Sequence, residues 1–300
     1  MTNAICWVTD LDEEVCPHCH PEPVKAAPPT EPDLYPDIAE EVYHGDTSAL
    51  SQSGAKALLK TVPAQWIYDW LHPEPVEVNE IMEFGSAVHS LTLGVGAKVV
   101  EIKAENWTRK ADQQIRKEHR AAGEIPLLTA KYRRAVAMAD AVRLHPVIGP
   151  RLEDSQRELS GWFRDPETGI MRRFRIDALH TTPAGAALAM DVKTAETADP
   201  NEFAKSIRKF GYDQQDDWYV EGLEELGVPG AAFLFVVVGR KPPHLVSLNT
   251  VPRAYVERGR ERNRDAIRLY AECLAAGHWP DYGVDTIHEI EQPAWAYRED

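Results

Sequence analysis

The sequence predicts an α/β fold in which helices flank a central mixed β-sheet. Three strand patterns follow one another between residues 158 and 193, and the wholly apolar run at 231–238 is typical of a strand buried on both faces. Helical periodicity precedes these strands, separates them and returns after them. Strands and helices in this order form a sheet that is covered by helices.

Residues 1–37 are predicted to be an acidic, proline-rich flexible arm, followed by one folded domain over residues 38–300. Residues 1–48 contain eleven acidic residues and one basic residue, so they carry −10 of the formal net charge of −15. The stretch PEPVKAAPPTEPDLYP (21–36) lacks any helical or strand period. A strongly negative chain ordinarily argues against nucleic acid as a partner, because phosphate binding depends on Lys and Arg. Here the remaining residues carry only −5, since −15 less −10 leaves −5, so a nucleic-acid partner stays open.

The part of the chain before residue 150 is predicted to be mainly helical. LSQSGAKALLKTVPAQWIYDWL (50–71) has apolar residues at helical spacing, with a serine to cap its start. IMEFGSAVHSLTL (81–93) predicts a buried helix that carries one polar side chain, His89. Two basic helical patterns follow at 109–123 and 131–145.

The region after residue 155 is predicted to form the sheet. ELSGWF (158–163) and IMRRFRIDAL (170–179) enclose the turn sequence DPETG and therefore predict a β-hairpin. AALAMDVK (186–193) predicts a third strand. The remaining predicted elements are a helix at 201–227, strands at 231–238 and 244–251, and a basic helix at about 253–276.

Asp191 and Lys193 end the third strand with two charged side chains on one face, because side chains i and i+2 of a strand point to the same side. An isolated Asp-x-Lys triplet is most often an ion pair at a strand end. However, Asp177 ends the preceding strand, and an antiparallel neighbour can bring its carboxylate beside Asp191. Two carboxylates beside a lysine indicate a site for a hard divalent cation, at which the lysine orients or deprotonates water. Glu158 and His89 are candidates to complete this site, although each alone is more often a structural or solvated residue.

In chain order these motifs are His89, Glu158, Asp177, Asp191-Val192-Lys193 and Gln215-x-x-x-Tyr219. The series resembles the PD-(D/E)-x-K nuclease superfamily, and most closely its phage exonuclease VIII (RecE-like) branch. Further stretches that carry the resemblance are LSQSGAKALLKTVPAQW, FGSAVHSLTLG, WFRDPETGIMRRFRIDAL and YDQQDDWYVEGL, between about Tyr43 and the C-terminal helix. The resemblance implies a restriction-endonuclease-like core.

The resemblance also implies a role for each motif residue. The metal ligands would be His89, Glu158, Asp177, Asp191 and the backbone carbonyl of Val192. The catalytic centre would consist of Asp177, Asp191, Glu158 and Lys193, with Lys193 orienting the attacking water. Gln215 and Tyr219 would line the DNA. Because Gln214 precedes Gln215, the register of this motif stays open by one residue.

The implied activity is that of a Mg²⁺-dependent exodeoxyribonuclease, with Mn²⁺ as a possible substitute. Such an enzyme would degrade linear double-stranded DNA from 5′ ends and leave 3′ overhangs for phage-type recombination. The implied partners are a single-strand annealing protein and further copies of the chain in a ring. Two alternatives stay open: a single-strand- or structure-specific nuclease on the same core, and a non-catalytic DNA-binding or assembly module.

Two basic segments are candidates for contacts with DNA phosphates, with a solvated helix face as the alternative for both. The first includes Arg109, Lys110, Arg116 and Lys117. The second includes Arg258, Arg260, Arg262, Arg264 and Arg268, between which acidic residues are interleaved.

The N-terminal CPHCH (16–20) can hold zinc only with further ligands, and we expect an unstructured or adventitious site. Some relatives hold an iron–sulfur cluster with one upstream and three downstream cysteines, whereas this chain has three upstream and one downstream. We also expect no membrane association and a cytoplasmic location, in the host cell if a phage encodes the chain, because no apolar run approaches the roughly 20 residues of a membrane span.

Overall fold

A computed structural model describes residues 26–74, 79–283 and 285–291. Its strands are β1 (Asp33–Tyr35), β2 (Leu50–Ser51), β3 (Val99–Ile102), β4 (Ile125–Leu128), β5 (Ser155–Arg164), β6 (Met171–Thr181), β7 (Ala187–Ala195), β8 (Ala232–Gly239) and β9 (Val246–Asn249). Its helices are α1 (Glu40–Gly45), α2 (Gln52–Leu58), α3 (Pro63–Leu71), α4 (Glu80–Leu93), α5 (Lys110–Ala121), α6 (Thr129–Arg143), α7 (Gly149–Glu153), α8 (Pro200–Phe210), α9 (Tyr212–Glu225) and α10 (Arg253–Ala276).

The central sheet is mixed, which confirms the predicted fold class. Its strands lie in the order β1-β5-β6-β7-β8-β9, and the short β2 pairs with β6. The β5-β6-β7 meander is antiparallel throughout, β7 and β8 are parallel, and β8 and β9 are antiparallel. The helix pair α8 and α9 makes the crossover between the two parallel strands, as a parallel connection requires.

Apolar clusters cover both faces of this sheet. One cluster includes Trp66, Phe174, Trp218 and Phe235 and lies under α3, α9 and α10. The other includes Val88, Met138, Val192 and Val236 and lies under α4 and α6. The sheet is therefore buried on both faces, which explains why β8 is almost wholly apolar.

The helix predicted over 201–227 is two helices in the structure. Gly211 separates α8 from α9 with a φ of +72°, a left-handed conformation that glycine adopts without steric cost. A Cβ atom at this position would also lie 2.9 Å from the Lys56 side chain. The break therefore allows α9 to start in a new direction.

The prediction did not include β3 and β4, which form a separate two-stranded parallel sheet beside α5. The N-terminal boundary also differs from the expected residue 38. Asp33–Tyr35 pairs with Ser160–Trp162 as an edge strand, and the Tyr35 ring packs edge-on against Trp162. Prolines on both sides of this strand do not prevent pairing, because an edge strand leaves one row of its backbone groups unpaired.

Residues 1–25 lie outside the described residues, and with them most of the predicted arm and the CPHCH segment. Among the residues that are described, no helix has both the length and the apolar character to cross a lipid bilayer.

Candidate active site

Asp177 and Asp191 lie side by side where β6 and β7 stop pairing. The backbone ladder between the two strands ends at Ala178 and Met190, the residues that adjoin Asp177 and Asp191. There the Val192 amide donates a 2.7 Å hydrogen bond to Asp177 Oδ2 in place of a backbone carbonyl. Asp177 is thus hydrogen-bonded to the residue that follows Asp191, so the two carboxylates that were predicted to converge lie next to each other.

Asp191 and Lys193 share one face of β7, as the strand period predicts. Lys193 Nζ lies 2.6 Å from Asp191 Oδ2, and Gln215 Nε2 donates a 2.5 Å hydrogen bond to Asp191 Oδ1. Gln214 instead bonds to Asn263 on α10 at 3.2 Å. Gln215 is therefore the glutamine that faces the site, and the register of the Gln-x-x-x-Tyr element is decided by this contact.

His89 and Glu158 complete the polar cluster. His89 projects from α4 with Nε2 3.0 Å from Asp177 Oδ2 and Nδ1 3.4 Å from Glu158 Oε1. Glu158 interrupts β5 with a φ of +51°, a conformation rare for a residue with a side chain. Strained backbone of this kind is frequent at functional sites.

Burial and charge shift the ionisation of these groups in different directions. Burial by itself lowers the pKa of His89, but the Asp177 and Glu158 carboxylates raise it to about 9. Burial also opposes ionisation of Asp177, yet His89 and Lys193 lower its pKa, whereas for Asp191 burial prevails and its pKa is raised. The pKa of Lys193 is raised, because Asp191 and Asp177 outweigh burial. Lys193 is therefore a cationic donor here, which favours orienting water over deprotonating it.

The cluster opens into one cleft of about 1230 Å³. All of the predicted site residues on the sheet, α4 and α9 line this cleft, namely His89, Glu158, Asp177, Asp191, Val192, Lys193, Gln215 and Tyr219. The cleft also reaches α1 on one side and Glu83, Arg120 and Glu124 on the other. It is much larger than a single ion and its ligands require.

The donor atoms fit a hard divalent cation. Asp177, Asp191 and Glu158 supply carboxylate oxygens, the kind of ligand that Mg²⁺ and Mn²⁺ prefer. Asp191 Oδ2 is buried and, among the described residues, receives no well-aligned hydrogen bond despite the nearby lysine. No group of three or more His, Cys, Asp or Glu side chains in the described part of the chain is arranged closely enough to hold an ion as it stands. A cation would therefore replace part of the present contacts with Lys193 and His89.

Two residues beside the site were not predicted. Arg175 lies two residues before Asp177 on the same face of β6, and its Nε is 3.8 Å from Glu158 Oε2. The period of two along a strand could have predicted Arg175, because it places Arg175 and Asp177 on the same face. The Tyr212 ring lies 5.1 Å from Lys193 Nζ, a cation–π contact that no local pattern indicates.

The first basic segment divides into two parts. Arg109, Lys110 and Lys117 are exposed on α5 or at its start. Arg116 instead forms a 2.7 Å ion pair with Glu83 on α4 and lies over the Trp107 ring. Its guanidinium is thus engaged within the protein.

Four arginines of α10 form ion pairs with α9 or with the β5–β6 turn. Arg260 and Arg262 pair with Asp217 and Asp213 on α9, and Arg264 pairs with Asp165 in the β5–β6 turn. Arg268 lies 3.3 Å from Glu167 in the same turn. These pairs favour the alternative that α10 is a structural helix, with less free charge for phosphates than its composition indicates.

A carboxylate pair on adjoining strands, followed by Asp-x-Lys at the end of the second strand, lies here in a mixed sheet flanked by helices. This fold and this site define the class of PD-(D/E)xK nucleases. Residues 51–289 match the family model described as "PDDEXK-like domain of unknown function (DUF3799)", and the chain belongs to this family.

The fold is also similar to a crystal structure from Eubacterium rectale described as a "putative exonuclease". That structure aligns with a TM-score of 0.56 and 13% sequence identity, over 87% of this chain and 97% of the other. An identity this low shows a common fold alone. No curated protein matches the sequence at a significant level.

Proposed function

We propose that the protein is a Mg²⁺-dependent exodeoxyribonuclease that degrades linear double-stranded DNA. The observation that carries the proposal is the convergence of Asp177, Asp191 and Lys193 at the base of one open cleft. The exonuclease description of the structural neighbour and the sequence resemblance to the RecE-like branch support an action on DNA ends. The same resemblance supports 5′→3′ polarity and a role in phage-type recombination.

In this proposal Asp177, Asp191 and the Val192 carbonyl hold the cation, with Glu158 and His89 at a second position. When bound, a divalent cation supplies Lewis acidity and positive charge for phosphodiester hydrolysis. Lys193 donates to the attacking water and directs it toward phosphorus. Gln215 fixes the Asp191 carboxylate through its 2.5 Å hydrogen bond, and Tyr219 lines the path of the strand one helical turn away.

The further assignments rest on the resemblance and belong to the same proposal. Mn²⁺ substitutes for Mg²⁺, and the exposed Arg109, Lys110 and Lys117 contact phosphates along the duplex. The protein acts in the cytoplasm, of the host if a phage encodes it, as a ring of identical chains with a single-strand annealing partner.

Lys193→Ala should reduce nucleotide release from linear duplex DNA by about a hundredfold or more, because the water loses its orienting donor. The assay is release of acid-soluble nucleotides with Mg²⁺, and EDTA should stop it in the wild type. Lys241→Ala is the matched control, because Lys241 is an exposed lysine that pairs only at the surface with Glu196. Undiminished release by Lys193→Ala would contradict the proposal.

Substrate comparison separates the exonuclease from the two alternatives. We expect degradation of linear duplex, none of circular duplex, and a preference for a 5′-phosphate over a 5′-hydroxyl. Cleavage confined to single strands or branched junctions would favour the structure-specific nuclease. Binding of DNA without turnover in any metal would favour the non-catalytic module.

A further inference from the structure

Helix α5 borders the cleft through Arg120 but has little apolar anchorage. None of its side chains, all of which the structure describes, is fully buried. It packs against β4, one of the two strands of the small outer sheet. A helix held by so few apolar contacts is expected to open more readily than the sheet beneath it.

A buried carboxylate connects α5 to α4. Glu83 on α4 is only 6% exposed, and its two oxygens bind Arg116 Nη2 and Arg120 Nε, both at 2.7 Å. Arg116 and Arg120 lie one helical turn apart, so both point from the same face of α5. One carboxylate thus holds two consecutive turns of the helix.

The same geometry orients the rest of α5. Lys110 and Lys117, seven residues apart, share a second face of the helix, about 100° around from the Arg116 and Arg120 face. Glu83 and Arg120 themselves line the cleft that contains Asp177 and Lys193. Fixing the arginine face against α4 therefore also fixes where the lysine face lies relative to the cleft.

We propose that Glu83 is a positioning residue that, through Arg116 and Arg120, holds α5 as a movable wall of the cleft, and that this wall retains the nucleic-acid strand beside the reacting phosphate. The proposal rests on the proposed nuclease function. Glu83 does not touch substrate; it acts through the two arginines. Glu80 on α4 lies 3.8 Å from Arg116 and also pairs with Lys131, so three basic side chains meet two carboxylates here. The wall therefore keeps a surplus positive charge next to the strand.

Hydrogen exchange of the wild-type protein tests the anchorage without any variant. Because α5 has no buried side chain whereas α6 has four, the amides of α5 should exchange faster than those of α6. Equal protection of α5 and α6 would overturn the proposal. This result does not depend on nuclease activity.

Glu83→Gln tests the link to substrate. The amide is nearly the same size but removes the charge that holds both arginines, so α5 should lose protection while β5, β6 and β7 keep theirs. The KM for linear duplex should rise about tenfold, and the single-turnover rate at saturating DNA should stay within about twofold. A fall in that rate with unchanged KM, or unchanged protection of α5, would overturn the proposal.

Glu118→Gln is the matched control, because Glu118 lies exposed on α5 and bonds only to Gln114 one turn earlier. It should behave as the wild type in both measurements. Glu83→Asp, which keeps the charge on a shorter side chain, should restore part of the affinity. If the wild type releases no nucleotides, the proposed function fails, and the dissociation constant of a fluorescein-labelled duplex replaces KM in the same comparison.

Discussion

At the scale of single residues, the site depends on the unusual backbone conformation of Glu158 as much as on its side chains. Glu158 stands opposite Asp177 in the β5–β6 register, but the ladder omits it because its φ is +51°. This conformation turns its carboxylate toward His89. A left-handed conformation costs about 1–2 kcal/mol for a residue with a Cβ atom, so the site holds strain that the surrounding sheet sustains.

Glu158→Gly and Glu158→Ala separate this strain from the loss of the carboxylate. Both variants lack the charge beside His89, but only glycine adopts a positive φ freely. We expect the glycine variant to be the more stable of the two by about 1 kcal/mol, since the greater flexibility of its unfolded chain offsets part of the gain. The measurement is the free energy of unfolding in urea. Equal stabilities would mean that the backbone at residue 158 relaxes without the side chain.

At the scale of elements, α9 is the part of the site that tertiary contacts position most closely. Helix α10 holds it through the Arg260–Asp217 and Arg262–Asp213 pairs, and the two backbones approach closely at Gly259. A Cβ atom on Gly259 would lie 2.4 Å from the Asp213 carbonyl oxygen. This approach sets the position of Gln215, two residues further along α9.

Gly259→Ala should therefore push α10 away from α9. Overpacking of this kind typically costs about 1–3 kcal/mol, and the displaced Gln215 should lower nuclease turnover as well. Thermal unfolding and nucleotide release measure the two effects. Gly45→Ala is the control, because Gly45 also lies in a helix but has open space around its missing Cβ, so both properties should be nearly unchanged.

At the scale of the whole molecule, excess acidic charge makes stability depend on pH. Asp216 on α9 is 9% exposed, and burial together with the neighbouring Asp217 and Asp213 raises its pKa from 3.8 to about 7. Because the folded state then binds more protons than the unfolded state between these two values, this group makes stability fall as pH rises from about 4 to 7.

Asp216→Asn should remove that dependence. The difference in unfolding free energy between the variant and the wild type should grow in favour of the variant across this range, by up to about 4 kcal/mol if the full shift applies. Urea unfolding of both proteins at several pH values measures this difference in free energy. The contributions of the other carboxyl groups cancel in the difference. A difference that does not change with pH would contradict the assignment.

Much of the sheet and of the site was predictable because it follows from the geometry of the backbone over a short stretch of sequence. The period of two along a strand places Asp191 and Lys193 on one face whatever surrounds them. The hairpin turn and the meander bring Asp177 beside them, since consecutive antiparallel strands are neighbours. The break at Gly211 was missed because helical periodicity continues on both sides of it.

By itself, then, the sequence determined the succession of strands from β5 to β9, the convergence of two carboxylates and a lysine, and the family of the chain. Only the tertiary structure decided which glutamine meets Asp191, that the α10 arginines hold α9, and that Arg116 is engaged with Glu83. The physical reason is that local patterns follow from the repeat of the backbone, whereas charges distant in sequence pair according to which surfaces folding brings together.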